Sequence, residues 1–268
     1  YRKSHKHDRV VLIGLEEYAY LSGISYAGQT IDDWQAYFRA IGVPKSQISE
    51  LKNEDATAEA IADVFETAAK KLPKVSEKSS TQRAEPWTRG RLWVVYIGHG
   101  LTSFKENVPA LVPYDAEPTA RELYNSALPL TQVSEVIEKA RDRSVFILDT
   151  SFNGVDRFGA PLSTNIPVQN ASTSIDQLQS ILGRNSAVIT TGEGRSPAGL
   201  LTENARPALS YLMLGGIRGW SDSNADGWVT LEEAVSFSNE HSRSGARLHS
   251  TVGSRSQRTL KLFPWIES

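Results

Sequence analysis

Four short apolar segments constrain the fold more than any other feature of this sequence. Each is nearly continuous in aliphatic or aromatic residues and is bounded by polar residues or glycine. They are Arg9–Leu15 (RVVLIGL), Arg91–Gly98 (RLWVVYIG), Ser144–Asp149 (SVFILD) and Ser186–Thr191 (SAVITT). Segments of this kind are typical of strands that are covered on both faces, as in a parallel sheet. We therefore expect a sheet buried between two layers.

Helical patterns lie between these strands. Apolar residues recur at helical spacing in Thr30–Gly42, where the final glycine would end a helix. Further helices are predicted in Thr57–Leu72, with Thr57 as the N-cap, and in Leu130–Arg141. The alternation of strands and helices predicts an α/β sandwich, in which a mostly parallel sheet carries helices on both faces.

The composition excludes several classes of function. The net charge of the 268 residues is −2, so no general nucleic-acid partner is expected. No apolar stretch approaches the roughly 18 residues of a membrane span, and we expect a cytoplasmic protein without a membrane partner. The chain begins with Tyr1 rather than Met, which leaves a trimmed N-terminus open. Because it contains no cysteine, disulfides, thiolate metal sites and thiol catalysis are excluded for this chain as it stands.

The chain divides into two parts by composition. Residues 1–242 contain all the predicted core elements and are expected to form one domain. Residues 243–268 carry six basic or acidic positions, of which five are basic, and we interpret them as a basic C-terminal tail. These positions are Arg243, Arg247, Arg255, Arg258, Lys261 and Glu267.

Two polar side chains directly follow two of the predicted strands. His99 comes after the second strand (YIGHG), and Ser151 comes after the third (LDTSFNG). Ligands of parallel sheets bind beyond the carboxyl ends of the strands, so neighbouring strands would place both residues at one rim. Serine beside histidine is the pattern of a nucleophile with its general base, and Gly100 would let backbone N–H groups approach a substrate carbonyl. A lone histidine is more often structural, and the second strand-end turn is what favours catalysis.

These strand ends resemble those of the caspase-like cysteine peptidases, the group that contains caspases, metacaspases and bacterial relatives. The string VVYIGHG is followed by FILDTSFNG, and Ser151 lies 52 positions after His99, where caspases have about 50 residues between histidine and cysteine. Four further segments resemble the family in family order. They are Gly28–Trp34, Asn53–Phe65, Leu111–Ala116 and Ala205–Asp222.

The resemblance implies that His99 is the general base and Ser151 the nucleophile, with the N–H groups of Gly100 and Ser151 as the oxyanion hole. The family nucleophile is cysteine, and a hydroxyl needs a much stronger and better oriented base than a thiol does. Loss of the nucleophile in a comparable site costs on the order of 10⁶ in turnover. We therefore expect a peptidase fold that binds polypeptide but is inactive, whether the serine is a natural change or an engineered Cys→Ser replacement. A non-catalytic peptide-binding or scaffold module and a working serine hydrolase are the alternatives.

Substrate selection is predicted from few residues. The arginine with which caspases select aspartate aligns with Tyr26, so the resemblance does not imply a strict preference for aspartate. Acidic side chains that could form a pocket for a basic residue are Asp32, Asp33 and Asp149, although the first two are equally suited to the start of a helix. The loop after the fourth strand offers two further candidates, Glu193 and Arg195, unless it is an ordinary solvated loop.

A twelve-residue segment near the end matches the EF-hand calcium loop. In Asp222–Glu233 (DSNADGWVTLEE), Gly227 occupies the sixth position, which requires a sharp turn. The ligand positions fall at Asp222, Asn224, Asp226, Trp228 through its carbonyl, Thr230 and Glu233. The pattern predicts a Ca²⁺ site, tuning or stabilising the domain. The alternative is a turn rich in Asp and Asn between two helices, with Glu232 and Glu233 at the start of the second.

Overall fold

The computed structural model describes residues 5–73, 90–103, 107–140, 143–163, 173–183, 185–191, 197–201, 205–242, 248–252 and 261–264. Its strands are β1 (Arg9–Gly14), β2 (Ile48–Lys52), β3 (Leu92–Ile97), β4 (Gly100–Thr102), β5 (Pro109–Leu111), β6 (Leu128–Pro129), β7 (Ser144–Asp149), β8 (Ala187–Thr191), β9 (Trp228–Thr230), β10 (Leu248–Val252) and β11 (Lys261–Pro264). Its α-helices are α1 (Ala27–Ala40), α2 (Ala58–Lys70), α3 (Ala120–Ser126), α4 (Leu130–Val136), α5 (Ile175–Leu182), α6 (Ala208–Gly215) and α7 (Leu231–His241).

A six-stranded sheet lies at the centre, in the order β10-β8-β7-β3-β1-β2. The five strands from β8 to β2 are parallel, and β10 pairs with β8 in the antiparallel direction. The four apolar segments of the sequence are β1, β3, β7 and β8, so the prediction of a mostly parallel sheet is confirmed.

Helices cover both faces of this sheet, which confirms the α/β sandwich. Successive strand residues point to opposite sides, and each side has its own core. Val11 and Ile13 of β1 belong to the core under α2, α3, α4 and α5, whereas Val10 and Leu12 belong to the core under α1, α6 and α7. All four side chains are fully buried, as expected for a strand that is apolar along its whole length.

The free backbone N–H groups at the starts of α1 and α2 find their hydrogen-bond acceptors in two different ways. Thr57 caps α2, as predicted, because its hydroxyl accepts a hydrogen bond from the Ala60 N–H at 3.3 Å. Helix α1 begins at Ala27 without a side-chain cap of its own, and the Glu16 carboxylate accepts from the Gly28 N–H at 3.0 Å instead. The alternative that Asp32 and Asp33 begin this helix is therefore wrong, since both lie inside it.

The predicted tail contributes two strands. β10 extends the central sheet along β8, and β11 pairs with β9 in a separate two-stranded ribbon. Residues 248–252 and 261–264 are thus joined to the domain by backbone pairing. Within the described ranges, no helix has both the length and the apolar character needed to cross a bilayer.

Candidate active site

His99 and Ser151 lie at the same rim of the central sheet. Strands β3 and β7 are parallel neighbours in which Ile97 pairs with Asp149, and His99 and Ser151 each follow two residues later. The turns that carry them are linked, because the Gly154 N–H donates to the Gly100 carbonyl at 3.2 Å. The expected adjacency of the two strand ends is therefore present in the fold.

Gly100 allows the close approach of these two turns. A Cβ atom at this position would lie 2.8 Å from the Ser151 carbonyl oxygen and 2.9 Å from side-chain atoms of Phe152 and Thr150. Real Cβ atoms essentially never come that near to backbone, so any other residue would push the turns apart. The glycine that the sequence marked as a backbone approach point is thus required by the packing of the rim.

The His99 ring is held by the loop between β1 and α1. Its Nε2 lies 2.7 Å from the Ser22 carbonyl oxygen, and its ring stacks on Tyr18 at 4.8 Å between centroids. The Tyr18 hydroxyl also accepts from the His99 backbone N–H at 2.7 Å. A carbonyl oxygen can only accept, so Nε2 carries the proton and Nδ1 is unprotonated in the neutral ring.

Burial keeps this imidazole neutral. His99 is only 3% exposed, and loss of hydration lowers its pKa to about 4. The hydrogen bond to Ser22 and the charge of Asp156 oppose this lowering of the pKa, whereas the positive charge of Arg157 adds to it. An unprotonated Nδ1 is what a general base requires.

Ser151 is equally buried, with 5% of its surface exposed. Its hydroxyl donates to the Asn153 side-chain oxygen at 3.0 Å. The preceding peptide is fixed from β8, since the hydroxyls of Thr190 and Thr191 donate to the Thr150 carbonyl at 3.1 and 2.9 Å. The turn is therefore rigidly placed on the strand that lies next to β7.

Asp149, a candidate for binding a basic substrate side chain, is engaged inside the protein. One carboxylate oxygen accepts from the Arg157 guanidinium at 2.7 Å, and the other accepts from the Ser210 backbone N–H at 2.7 Å near the start of α6. Asp149 and Arg157 are both buried. Their ion pair ties the end of β7 to the turn after Ser151, and the carboxylate is occupied by the chain itself.

The other substrate-binding candidates are spread over the surface. Tyr26 is 41% exposed, and the Arg206 guanidinium lies over its ring at 5.5 Å from the centroid. Asp33 pairs with the same Arg206 at 3.5 Å, whereas Asp32 pairs at 2.6 Å with Lys52, the last residue of edge strand β2. Glu193 and Arg195 lie outside the described residues.

Sequence reasoning missed five residues that shape this rim: Tyr18, Ser22, Asn153, Asp156 and Arg157. Asn153 is the one with a local signal, because an Asn two residues after a strand-end serine can bond back within the same turn. Ser22 acts through its main chain, and Tyr18 and Arg157 act through contacts between loops, so no sequence pattern marks them.

The EF-hand-like segment forms a tight turn between α6 and α7. Gly227 has a left-handed φ of 76°, and its N–H donates to the Asp222 carboxylate at 3.0 Å. Asn224 and Asp226 likewise accept from backbone N–H groups two residues ahead, at 2.8 and 2.9 Å. Val229 is buried in β9, which pairs with β11. The side chains of Asp222, Asn224 and Asp226 thus bond to backbone N–H groups of the same turn, which both the calcium loop and the alternative of a turn rich in Asp and Asn predict.

Glu233 also serves the helix that follows. Its carboxylate accepts from the Thr230 N–H at 2.8 Å while the Thr230 hydroxyl accepts from the Glu233 N–H at 3.2 Å, which is a capping box at the start of α7. The other carboxylate oxygen accepts from Asn224 at 3.0 Å. Among the described residues, no three His, Asp or Glu side chains are already grouped around a metal position. The residues suit Ca²⁺ in kind and spacing, but binding would require Glu233 to exchange these hydrogen bonds for the ion.

Comparison with known proteins supports the fold. The structure of protein GSU0716 from Geobacter sulfurreducens matches with a TM-score of 0.62 and 13% sequence identity, covering 97% of this chain and 99% of that chain. No family model matches the sequence. No curated protein matches it either. At this identity the structural likeness describes the shared fold alone.

Proposed function

We propose that this chain is a caspase-family endopeptidase domain whose nucleophile position holds serine, so that it is inactive as it stands. One observation carries the proposal: the Ser22 carbonyl holds the proton of His99 on Nε2, which leaves Nδ1 as the basic atom at the rim shared with Ser151. The sequence resemblance supplies the reaction, and the geometry supports the roles of base and nucleophile position.

In a cysteine form, the reaction would proceed in two stages, acylation of the thiol and hydrolysis of the acyl-enzyme. The thiol would transfer its proton to His99 Nδ1 as sulfur attacks the peptide carbonyl carbon. His99 would then return that proton to the leaving amine as the C–N bond breaks, which leaves an acyl thioester. Water would attack the thioester carbon as His99 takes its proton, and the C–S bond would break as His99 returns the proton to sulfur, which releases the carboxylic acid and restores the thiol. The N–H groups of Gly100 and residue 151 would face the oxygen that becomes negative.

Serine performs this reaction poorly in such a site. A hydroxyl is far less acidic than a thiol, so the step depends on forming a stable imidazolium at His99. Burial and the charge of Arg157 both disfavour the imidazolium and lower the pKa of His99 to about 4. The described hydrogen-bond partner of the ring is a neutral carbonyl, whereas serine peptidases use a carboxylate there.

Restoring the thiol tests this proposal. We expect Ser151→Cys to cleave members of a peptide library at a rate at least about 10³-fold above the unchanged chain, since most of the roughly 10⁶-fold loss comes from the nucleophile. A Ser151→Cys chain that also carries His99→Ala should be inactive while keeping the same circular dichroism spectrum. A well-folded Ser151→Cys protein that cleaves no peptide would contradict the proposal.

A non-catalytic peptide-binding or scaffold module is the second candidate. It is favoured by the burial of His99 and Ser151, which are 3% and 5% exposed, because a peptide reaching them must first displace covering residues. Extended peptides can bind such proteins by pairing with strand edges. Peptide binding without cleavage by the Ser151→Cys variant would identify this module.

We further propose that the turn Asp222–Glu233 binds Ca²⁺. The spacing of oxygen ligands and the left-handed Gly227 support this assignment. Trp228 provides a direct test, because an indole within the loop sensitises the luminescence of Tb³⁺, a calcium substitute. We expect a luminescence signal that Ca²⁺ displaces and that Glu233→Gln weakens by at least about tenfold, since removing one charged ligand costs over about 1.4 kcal/mol. An exposed control, Glu232→Gln, should leave the signal unchanged.

A further inference from the structure

The hydrogen bond between Ser151 and Asn153 has a defined direction. The Asn153 side-chain oxygen also accepts from the Val155 backbone N–H at 3.3 Å. A backbone N–H can only donate, so this contact identifies the side-chain atom as the amide oxygen rather than the nitrogen. The Ser151 hydroxyl, at 3.0 Å from the same oxygen, must therefore be the donor.

This direction matters because the hydroxyl has a single proton. A general base can remove that proton only along a hydrogen bond between the nucleophile and the base. In this structure the proton is directed at Asn153, whereas the base candidate, His99, has its own proton fixed toward Ser22. In the proposed reaction, Asn153 would therefore compete with His99 for the proton of the residue at position 151.

We propose that Asn153 is a positioning residue that restrains the nucleophile by holding its proton. The inference rests on the proposed function in one respect, namely that position 151 is the nucleophile position. An amide oxygen that accepts from a nucleophile stabilises the protonated form and offers no hydrogen to the anion. Ser151 and Asn153 are 5% and 4% exposed, so water does not replace this bond readily.

The restraint predicts a measurable change in a cysteine at position 151. In the Ser151→Cys background, Asn153→Ala removes the acceptor, and we expect alkylation by iodoacetamide at pH 7 to become about tenfold faster, the equivalent of one hydrogen bond. Asn153→Asp keeps the shape and the acceptor for Val155 but adds negative charge, and we expect alkylation to become slower. The alkylation rates are measured from pH 6 to 10. A change in the pKa of the thiol shifts the midpoint of this profile, whereas a change in the access of iodoacetamide to the sulfur alters the rate at every pH.

A matched control loosens the same turn without touching the proton. Thr190→Val removes one of the two hydroxyls on the Thr150 carbonyl, and it should lower Tm while leaving the alkylation profile unchanged. A purely structural role for Asn153 would shift the Ala and Asp variants in the same direction. That result, or an unchanged profile in Asn153→Ala, would overturn the inference.

Alkylation needs no peptide cleavage, so the two proposals fail separately. If Ser151→Cys cleaves nothing but the two Asn153 variants shift the profile in opposite directions, the restraint is supported and the peptidase is not. If Ser151→Cys cleaves peptides and the Asn153 variants are alkylated at the same rate as Ser151→Cys at every pH, the peptidase is supported and the restraint is overturned.

Discussion

His99 is a neutral group that the fold has removed from water, and this makes the stability of the protein depend on pH. The pKa of its side chain falls from 6.5 to about 4 on folding, chiefly because of burial. Between these values the unfolded chain binds a proton that the folded protein does not. The contribution of neutral His99 to the free energy of unfolding is therefore fully present above pH 6.5, and it is lost as the pH falls toward 4.

We expect His99→Gln to flatten this dependence. The native chain should lose on the order of 3 kcal/mol between pH 7 and pH 4 because of His99, and the glutamine variant, which binds no proton there, should not lose this part. Thermal unfolding of both proteins at a series of pH values measures the difference, and the other histidines cancel in the comparison. Parallel curves would contradict a buried neutral His99.

The positions of several residues of the candidate site could be predicted from the sequence alone, and those of others could not. His99, Gly100 and Ser151 follow apolar strands, and a parallel sheet brings consecutive strand ends to one rim. Ser22 and Arg157 reach this rim through contacts between loops, which leave no periodic signal. The sequence correctly predicts Asp149 at the end of a strand. Its pairing with Arg157 depends on how the following turn folds back, so the sequence does not show that the carboxylate is already bound within the protein.

The pair of Asp149 and Arg157 joins three elements: strand β7, the turn after Ser151, and helix α6. Breaking a buried pair leaves an uncompensated charge, which costs about 3–5 kcal/mol. We expect Arg157→Ala to lower the free energy of unfolding by this amount in urea titrations. The exposed pair of Glu66 and Lys70 is the control, where Lys70→Ala should cost under about 1 kcal/mol. Similar losses in both variants would contradict a buried ion pair.

The long buried elements were predictable, and the short edge elements were not. Strands β1, β3, β7 and β8 are nearly all apolar, so composition alone identifies them. β2 is only partly buried and carries charged residues, as edge strands commonly do. Strands β10 and β11 lie in a basic, polar segment, where pairing with β8 and β9 supplies the order that local sequence does not indicate.

The C-terminal segment adds strand β10 to one edge of the central sheet, and its strand β11 pairs with β9 of the candidate calcium loop. We expect deletion of residues 243–268 to remove β10 and β11 and to lower the free energy of unfolding by about 2–4 kcal/mol through lost strand pairing. The corresponding fall in Tm is roughly 5–15 °C for a chain of this size. The exposed edge of β8 should also promote aggregation, which light scattering would detect.

A chain that ends at Pro264 is the matched control, because it keeps both strands. Its Tm should equal that of the full chain. If the chain ending at residue 242 unfolds at the same temperature as this control, the two strands do not contribute to the stability of the domain.

The hold on His99 by the Ser22 carbonyl has an evolutionary consequence. Every amino acid brings the same main-chain oxygen, so mutation of the residue at position 22 does not by itself abolish the acceptor. If position 151 is the nucleophile position, as proposed, the orientation of the imidazole would not depend on whether that position holds serine or cysteine. A single codon at position 151 would then separate an inactive form from an active one.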